Sequence, residues 1–327
     1  MNLISIVTPC YNEQENVAEV HRRVREIMGA VEDVDYEHIF IDNASTDSTV
    51  SILREIAAGD PRSRLIINAR NFGSLRSPYH AILEAQGDAV ILLVADLQDP
   101  PELIPEFIAR WKAGAKVVVG VKSGSQESAV MFAIRRAYYG LLASIGEHGL
   151  LQNFSGFGLY DRQMVDALRR MRDPSPYLRG LISEIGFEPS IVEYVQTARK
   201  RGITSNNFYS LYDIAMLGIT SHSKVPLRLA TMGGFLLSLL SLLIAFAYLV
   251  LKLVFWNQFS LGMAPILIGV FFFSSVQLFF IGLLGEYIAT IHTRVMNRPL
   301  VVEQERVNFP PQPESGDRHD ATAGPGR

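Results

Sequence analysis

A single cysteine, Cys10, occurs in the 327 residues, so no intrachain disulfide can form and a cysteine-based metal cluster is excluded. A lone thiol of this kind reads as a small buried hydrophobe. Charge is sparse as well: 19% of the residues are Asp, Glu, Lys or Arg, against about 25% in soluble domains. The 30 Lys and Arg face 33 Asp and Glu, a net charge of −3, which leaves no basic face for nucleic acid. Glycine is missing from the turn Thr8-Pro9-Cys10-Tyr11-Asn12-Glu13 after the first apolar run. A dinucleotide-binding enzyme needs Gly-x-Gly-x-x-Gly there, and no Walker A sequence occurs either, which sets aside nicotinamide enzymes and P-loop ATPases. No basic n-region precedes that first run, so no signal peptide is expected and the part before the long apolar segments is expected to be cytoplasmic.

What the chain does have is apolar residues, 48% of the total, gathered near one end. Leu229 to Leu251 runs 23 positions without a charge, and Ala264 to Leu284 adds 21 more, with Gln277 as its most polar member. A helix needs about 20 apolar residues to cross the roughly 30 Å hydrocarbon core, so both segments read as transmembrane helices. Lys224 and Arg228 precede the first, and Arg294, Arg298 and Arg306 follow the second. The short connection around Trp256 carries only Lys252. The positive-inside rule then puts both termini in the cytoplasm with a short outward hairpin. From Pro310 the chain is rich in Pro, Gly and charge and reads as a disordered tail.

Ahead of the apolar pair, strands and helices alternate. Leu3–Val7, Glu37–Ile41, Leu65–Ile67, Ala89–Ala95 and Lys116–Val121 read as buried strands. Between them, Gln14 to Met28 carries Val17, Val20, Val24 and Ile27 at helical spacing. Ser45 or Thr46 is placed to cap a second helix, and Pro101 suits the first turn of another. Strands apolar on both faces and alternating with helices specify an α/β domain with a mostly parallel sheet. Its ligand belongs at the carboxyl ends of the strands. Those ends are TPCYNE (8–13), DNAS (42–45), NARNFG (68–73) and ADLQDP (95–100), all polar.

The chemistry at those ends is acidic. Asp42 closes the second strand, and Asp96 and Asp99 flank Gln98 after the fourth. Carboxylates with an amide oxygen are hard ligands that suit Mg²⁺ or Mn²⁺ on a substrate diphosphate. Asp99, just ahead of Pro100-Pro101, reads as turn chemistry instead. The histidines, His38, His80 and His148 among them, are scattered and read as surface or capping residues.

ISIVTPCYNEQENV, IDNASTDST, ARNFG and ADLQDPPELIPEFI, in that order, resemble the GT-A glycosyltransferases of family 2. More narrowly they are similar to the polyprenyl-phosphate branch, the dolichol-phosphate-mannose synthases and bactoprenol glucosyltransferases. The similarity continues through GFGLYDR (156–162), RGLISEIGF (179–187) and GITSHSKVPLRLA (218–230), and includes the C-terminal pair of apolar helices. The resemblance implies an inverting transfer of a sugar, a hexose by expectation, from a nucleotide sugar (a UDP-sugar foremost) to undecaprenyl phosphate at the inner leaflet. The lipid-linked product would serve cell-envelope glycan modification. It also implies Mg²⁺ or Mn²⁺ as cofactor, contact with membrane lipid and an inner-membrane location, and it admits a homo-oligomer.

By motif match, Pro9, Tyr11, Asn12, Glu13, Asp42, Asn43, Ala95 and Asp96 would line the donor pocket. Asp96 and Gln98 would hold the metal, and Arg199 would bind phosphate, giving Asp96, Gln98 and Arg199 the catalytic roles. A phosphate acceptor is already anionic, so positioning and charge neutralisation would suffice without a strong base. Arg135 and Arg136 are further candidates for the acceptor phosphate or for lipid headgroups.

The expected organisation is a GT-A domain over 1–205, an amphipathic juxtamembrane segment over 206–227, two membrane helices over 228–292 and a largely disordered cytoplasmic tail over 293–327. The chain departs from the family pattern at Val94, where Asp-x-Asp has its first Asp, and at Asn43, the second position of an Asp-Asp pair. Gly156 and Gly158 stand in place of the Asp and Arg of Gly-Asp-Phe-Arg-Leu, and Ser205 in place of a Lys. Those losses motivate an alternative: a catalytically degenerate member acting as a membrane scaffold or flippase partner.

Overall fold

The structure, a computed structural model, describes residues 1–124, 154–196, 225–255, 263–296 and 298–310. The first half runs β1 (Asn2–Cys10), α1 (Val17–Gly29), β2 (Val34–Asp42), α2 (Thr49–Gly59), β3 (Ser63–Asn68), α3 (Gly73–Glu84), β4 (Ala89–Leu92), α4 (Ile104–Lys112) and β5 (Val117–Gly124). The second half adds β6 (Phe154–Asp161), α5 (Arg162–Met171), α6 (Leu178–Ile185), β7 (Pro189–Val195), α7 (Val225–Val254), α8 (Met263–Val295) and β8 (Glu303–Val307).

All eight strands join one sheet, ordered β7-β5-β6-β4-β1-β2-β3-β8. The centre is parallel, as the alternating pattern predicts: β1 pairs with β2 and β4, and β2 with β3. Two antiparallel strands depart from it. β6 runs against β4 and β5, and β8 runs against β3 at the far edge. Register sets the crevice level, because Cys10 sits opposite Asp42 and Val7 opposite Leu92, so the β1, β2 and β4 loops open on one side.

Each sheet face is covered, which is why the strands read as unbroken apolar runs. On one face Val20, Val24 and Met28 of α1 meet Ile104, Phe107 and Ile108 of α4 over Ile4, Ile6 and Ile91. On the other, Tyr79 and Ile82 of α3 pack with Met164, Val165 and Leu168 of α5 over Val7, Ile39 and Val90. Cys10 is buried, as expected of a lone thiol. His38 corrects the surface expectation: it is fully buried, stacks near His21 and Phe40, and its Nε2 lies 2.9 Å from the Thr8 hydroxyl. His80 is half-buried against Glu303, and His148 lies outside the described residues.

Helices α7 and α8 are each long and apolar enough to cross a membrane, and none of their most apolar stretch is buried. Phe235, Phe246, Phe271 and Leu278 are all more than 60% exposed or close to it, at 69%, 65%, 70% and 68%. A pair of core helices would cover such residues, and these are uncovered. The tail expectation needs a correction for residues 298–310. Leu300 and Phe309 pack on the α3 face, Val301 is buried, and β8 hydrogen-bonds to β3. Charge pairs hold this strap: Arg306 to Glu84 at 2.7 Å, Arg54 to Glu305 at 2.5 Å and His80 Nε2 to Glu303 at 2.5 Å. Residues 311–327 and 206–224 lie outside the described residues.

Candidate active site

Loops at the carboxyl ends of the strands enclose a crevice of about 1170 Å³. The β1–α1 and β2–α2 loops are stitched to each other along its rim. Asn12 donates its N–H to Ser45 Oγ at 2.8 Å, and its side-chain oxygen accepts from the Thr46 N–H at 2.8 Å. Glu13 N–H donates to Thr49 Oγ1 at 2.9 Å, Gln14 N–H donates to Asp47 Oδ2 at 3.3 Å, and Gln14 Oε1 accepts from the Ser48 N–H at 3.0 Å. Ser45 and Thr46 are therefore spent on this seam and do not cap α2, whose N-cap is Ser48 without a side-chain bond.

Three of these loops carry a non-glycine residue in the left-handed region: Asn12 at φ 55°, Ala44 at φ 62° and Leu97 at φ 56°. Such backbone costs about 1–2 kcal/mol per residue for an ordinary side chain. Strain of that kind persists where surrounding contacts over-determine it, and it gathers at functional sites. Leu97 is the most costly of the three because a bulky side chain is a genuine outlier there.

Of the residues expected at the donor pocket, Pro9, Tyr11, Asn12, Glu13, Asn43 and Asp96 do line the crevice. Asp42, Ala95 and Gln98 are not among the lining residues. Asp42 is fully buried, and its two oxygens accept from the Ser45 hydroxyl at 2.5 Å and the Ser45 N–H at 2.9 Å. Burial pushes the Asp42 carboxyl up, against the hydrogen bonds from Ser45 and Ala44 that favour its charge. Gln98 Oε1 accepts from Gln196 Nε2 at 3.3 Å, and Gln98 N–H donates to Asp96 Oδ1 at 3.1 Å. Arg135, Arg136 and Arg199 lie outside the described residues.

Asp99 is more than a turn residue. It is buried and accepts from the Tyr194 hydroxyl and, at 3.2 Å, from Ser155 Oγ, which ties the metal-candidate loop to β6 and β7. Burial first, then the charge of Asp99, raises the Tyr194 phenol far above its ordinary value, so it stays a donor.

The rest of the lining was legible in the sequence only in part. Asn71, Gly73, Ser74, Ser77 and Tyr79 from the α3 side, and Pro176, Tyr177, Leu178 and Arg179 ahead of and within α6, complete the crevice. Asn71 and Gly73 were signalled by NARNFG (68–73) and Arg179 by RGLISEIGF, and the others gave no signal. The 172–178 stretch also meets α8: Arg294 lies 3.6 Å from Asp173. Deep in the crevice Leu92, Val94 and Gly156 are lining residues, so its floor is apolar beside Asp96.

A divalent ion needs oxygen ligands, and among the described residues no three His, Cys, Asp or Glu side chains form a metal cluster. Asp96 is the carboxylate at the strand end, with Glu13 across the mouth. One carboxylate suits an ion that takes its remaining ligands from substrate phosphates and water, the habit of Mg²⁺.

Comparison with known proteins bears on what such a crevice does. Residues 5–171 match the family model described as glycosyl transferase family 2. The uncharacterized glycosyltransferase YkcC of Bacillus subtilis (strain 168) is 36% identical over 303 residues, covering 92% of this chain and 93% of its own. The SfII prophage-derived bactoprenol glucosyl transferase of Shigella flexneri is 34% identical over 297 residues, covering 90% and 96%. The bactoprenol glucosyl transferase of Shigella phage SfV is 33% identical over 305 residues, covering 93% and 99%.

Proposed function

The chain belongs to glycosyl transferase family 2 and is a glycosyltransferase, and from that premise we propose that it moves a hexose from a nucleotide-diphosphate sugar to a polyprenyl phosphate at a membrane. The observation that carries this reading is the Arg294–Asp173 contact, which sets the end of a long apolar helix against the segment that walls the crevice through Pro176–Arg179. A lipid whose phosphate must reach the crevice while its chain stays in hydrocarbon needs that adjacency. The bactoprenol glucosyl transferases similar along more than nine-tenths of their own length support the same acceptor class.

The sheet supports a topology for this reading. β7 precedes the apolar pair and β8 follows it, and both belong to one sheet. If α7 and α8 cross a bilayer, both ends of the hairpin must lie on the same side, together with the crevice. The cations Arg228, Arg294 and Arg298 support the cytoplasm as that side.

In this reading the rim of Pro9, Tyr11, Asn12 and Glu13 seats the nucleotide, and Asn43 and Asn71 fix the wall beside it. Asp96 would hold Mg²⁺ or Mn²⁺, which when bound would supply Lewis-acid neutralisation of the leaving diphosphate. The chain's own residues position the acceptor and exclude water around an apolar floor, while the acceptor phosphate, anionic at neutral pH, attacks without a base. Attack opposite the leaving group inverts the anomeric centre. Of the departures that motivate a scaffold role, Gly158 is a packing requirement of the sheet and not a lost crevice group: a Cβ there would sit 2.4 Å from the Val118 carbonyl oxygen.

The test uses full-length protein in detergent with undecaprenyl phosphate, Mg²⁺ or Mn²⁺, and labelled UDP-, GDP-, TDP- and CMP-sugars in turn. Label should enter the organic phase from one donor, depend on the metal, and be lost in Asp96→Ala. Folded protein that transfers from none of them would end this reading.

A further inference from the structure

Three arginines gather behind the crevice wall formed by Asn71 to Leu75. The Arg70 guanidinium lies 4.1 Å from the Phe72 ring centre, and that of Arg76 lies 5.9 Å from the same ring. Arg76 Nη2 donates to the Pro299 carbonyl at 2.6 Å, which brings Arg298 alongside. The Arg76 Nε is buried with no hydrogen-bond partner. Among the described residues none of the three forms an ion pair with a carboxylate. Burial lowers the Arg76 pKa, and the charges of Arg70 and Arg298 lower it further. Three like charges held together, with no carboxylate paired to them among the described residues, form an anion site by their arrangement.

Depth along α8 says where the anion comes from. Ile288, Ile291 and Val295 keep one side of α8 apolar and 64%, 59% and 76% exposed down to its last residue. The apolar stretch Gly269–Val295 is 27 residues long. At about 1.5 Å per residue that is roughly 40 Å, the thickness of a bilayer with its headgroup layers. Arg298 follows three residues later.

On the membrane reading given above, we propose that Arg70, Arg76 and Arg298 form a receptor for the phosphate of an anionic phospholipid headgroup. Guanidinium forks match phosphate oxygens and hold them by charge-assisted pairs. The three side chains do not line the crevice, whereas Asn71, Gly73 and Ser74 do, so the phosphate they take is a neighbour of the glycosylated one. Because Arg70 and Arg76 bracket Phe72, a bound headgroup clamps the donor-side wall from outside.

Full-length protein would be delipidated in detergent and offered phosphatidylglycerol, phosphatidylcholine, polyprenyl phosphate or inorganic phosphate, with retained ligand counted by native mass spectrometry. An arginine at an anionic surface contributes about fivefold in binding, so Arg70→Gln with Arg298→Gln should cut phosphatidylglycerol retention roughly 25-fold. Phosphatidylcholine retention should not change, and the paired Lys variants should keep most of the phosphatidylglycerol binding. Arg76 is left intact because its bond to Pro299 holds the strap, and unchanged thermal unfolding of the variants shows that they fold. Undiminished phosphatidylglycerol retention in the Gln pair overturns the proposal. So does a loss confined to polyprenyl phosphate, which would make the cluster part of the acceptor site, or an equal response to inorganic phosphate. Alkaline carbonate extraction separates the two readings: release of the parent chain from membranes overturns the membrane reading and this proposal together, while a retained chain with an indifferent Gln pair overturns this proposal alone.

Discussion

Asn43 donates through Nδ2 to Asn71 Oδ1 at 2.9 Å and to the Gly73 carbonyl at 3.2 Å. Its own Oδ1 accepts from the Phe72 N–H at 2.9 Å and from Asn68 Nδ2 at 3.2 Å. The amide is used from both ends, and the backbone N–H of Phe72 fixes which end is which. A carboxylate at this position would face two acceptors.

Asn43→Asp, which restores the family's acidic pair, should therefore harm this protein. The Gly73 carbonyl would lose its side-chain donor and Asn71 Oδ1 would keep only the Gly73 N–H at 2.8 Å, while a new negative charge faces both oxygens, a cost of about 1 kcal/mol. Thermal unfolding should show the loss, and nucleotide-sugar binding should weaken because Asn71 and Gly73 line the crevice. A more stable or tighter-binding variant would contradict the network.

Val94 is the opposite case. It lines the crevice two residues before Asp96, with no polar role to lose. Val94→Asp adds a second hard ligand, and ligand charge sets divalent affinity. The Mn²⁺ concentration giving half-maximal nucleoside diphosphate binding should fall by about tenfold. An unchanged titration would mean that the ion, or the diphosphate, sits elsewhere.

Gly158 should tolerate nothing larger. Its Cβ would meet the Val118 backbone, which cannot swing aside as a side chain can. Overpacking of this sort costs about 1–3 kcal/mol, so Gly158→Ala should lower the unfolding midpoint while Gly158→Arg prevents folding. Wild-type stability in the Ala variant would show that β6 does not press on β5 as described.

The strap should loosen in acid. Burial alone would raise the Glu303 carboxyl, yet hydrogen bonds from His80 and Arg306 and their charges outweigh it and hold it at about 2, below its ordinary 4.5. A depressed carboxyl contributes stability that is complete above the ordinary value and is lost as pH falls from about 4.5 toward 2. Unfolding midpoints of the parent and Glu303→Gln should differ at pH 6 and converge as the solution is acidified below 4.5. A constant difference would exclude the carboxylate as the cause.

The sheet centre and its crevice were legible because each strand carries its own apolar run and ends in its own polar loop. What escaped depends on distant partners. β6 carries no strand signal, since FSGFGLYD spends two positions on glycine, and only pairing with the distant backbones of β4 and β5 makes those glycines a strand. β8, with the sequence EQERV, has no apolar pattern at all, and its partners His80, Glu84 and Arg54 lie more than 200 residues away. Asp42 depends on a local partner instead. A carboxylate at a strand end suggests a ligand, but Ser45 three residues later satisfies both its oxygens locally. Its part in the crevice is to shape the loop that bonds Asn12.

The strap also bears on how the crevice half could be prepared by itself. Ending the polypeptide before α7 would discard β8 along with the apolar helices, although β8 belongs to the sheet that carries the crevice. The edge of β3 would then be bare from Leu65 to Asn68. Open edges recruit other strands. A water-soluble version would keep its eighth strand if residues 298–310 were joined back by a short linker across the excised hairpin.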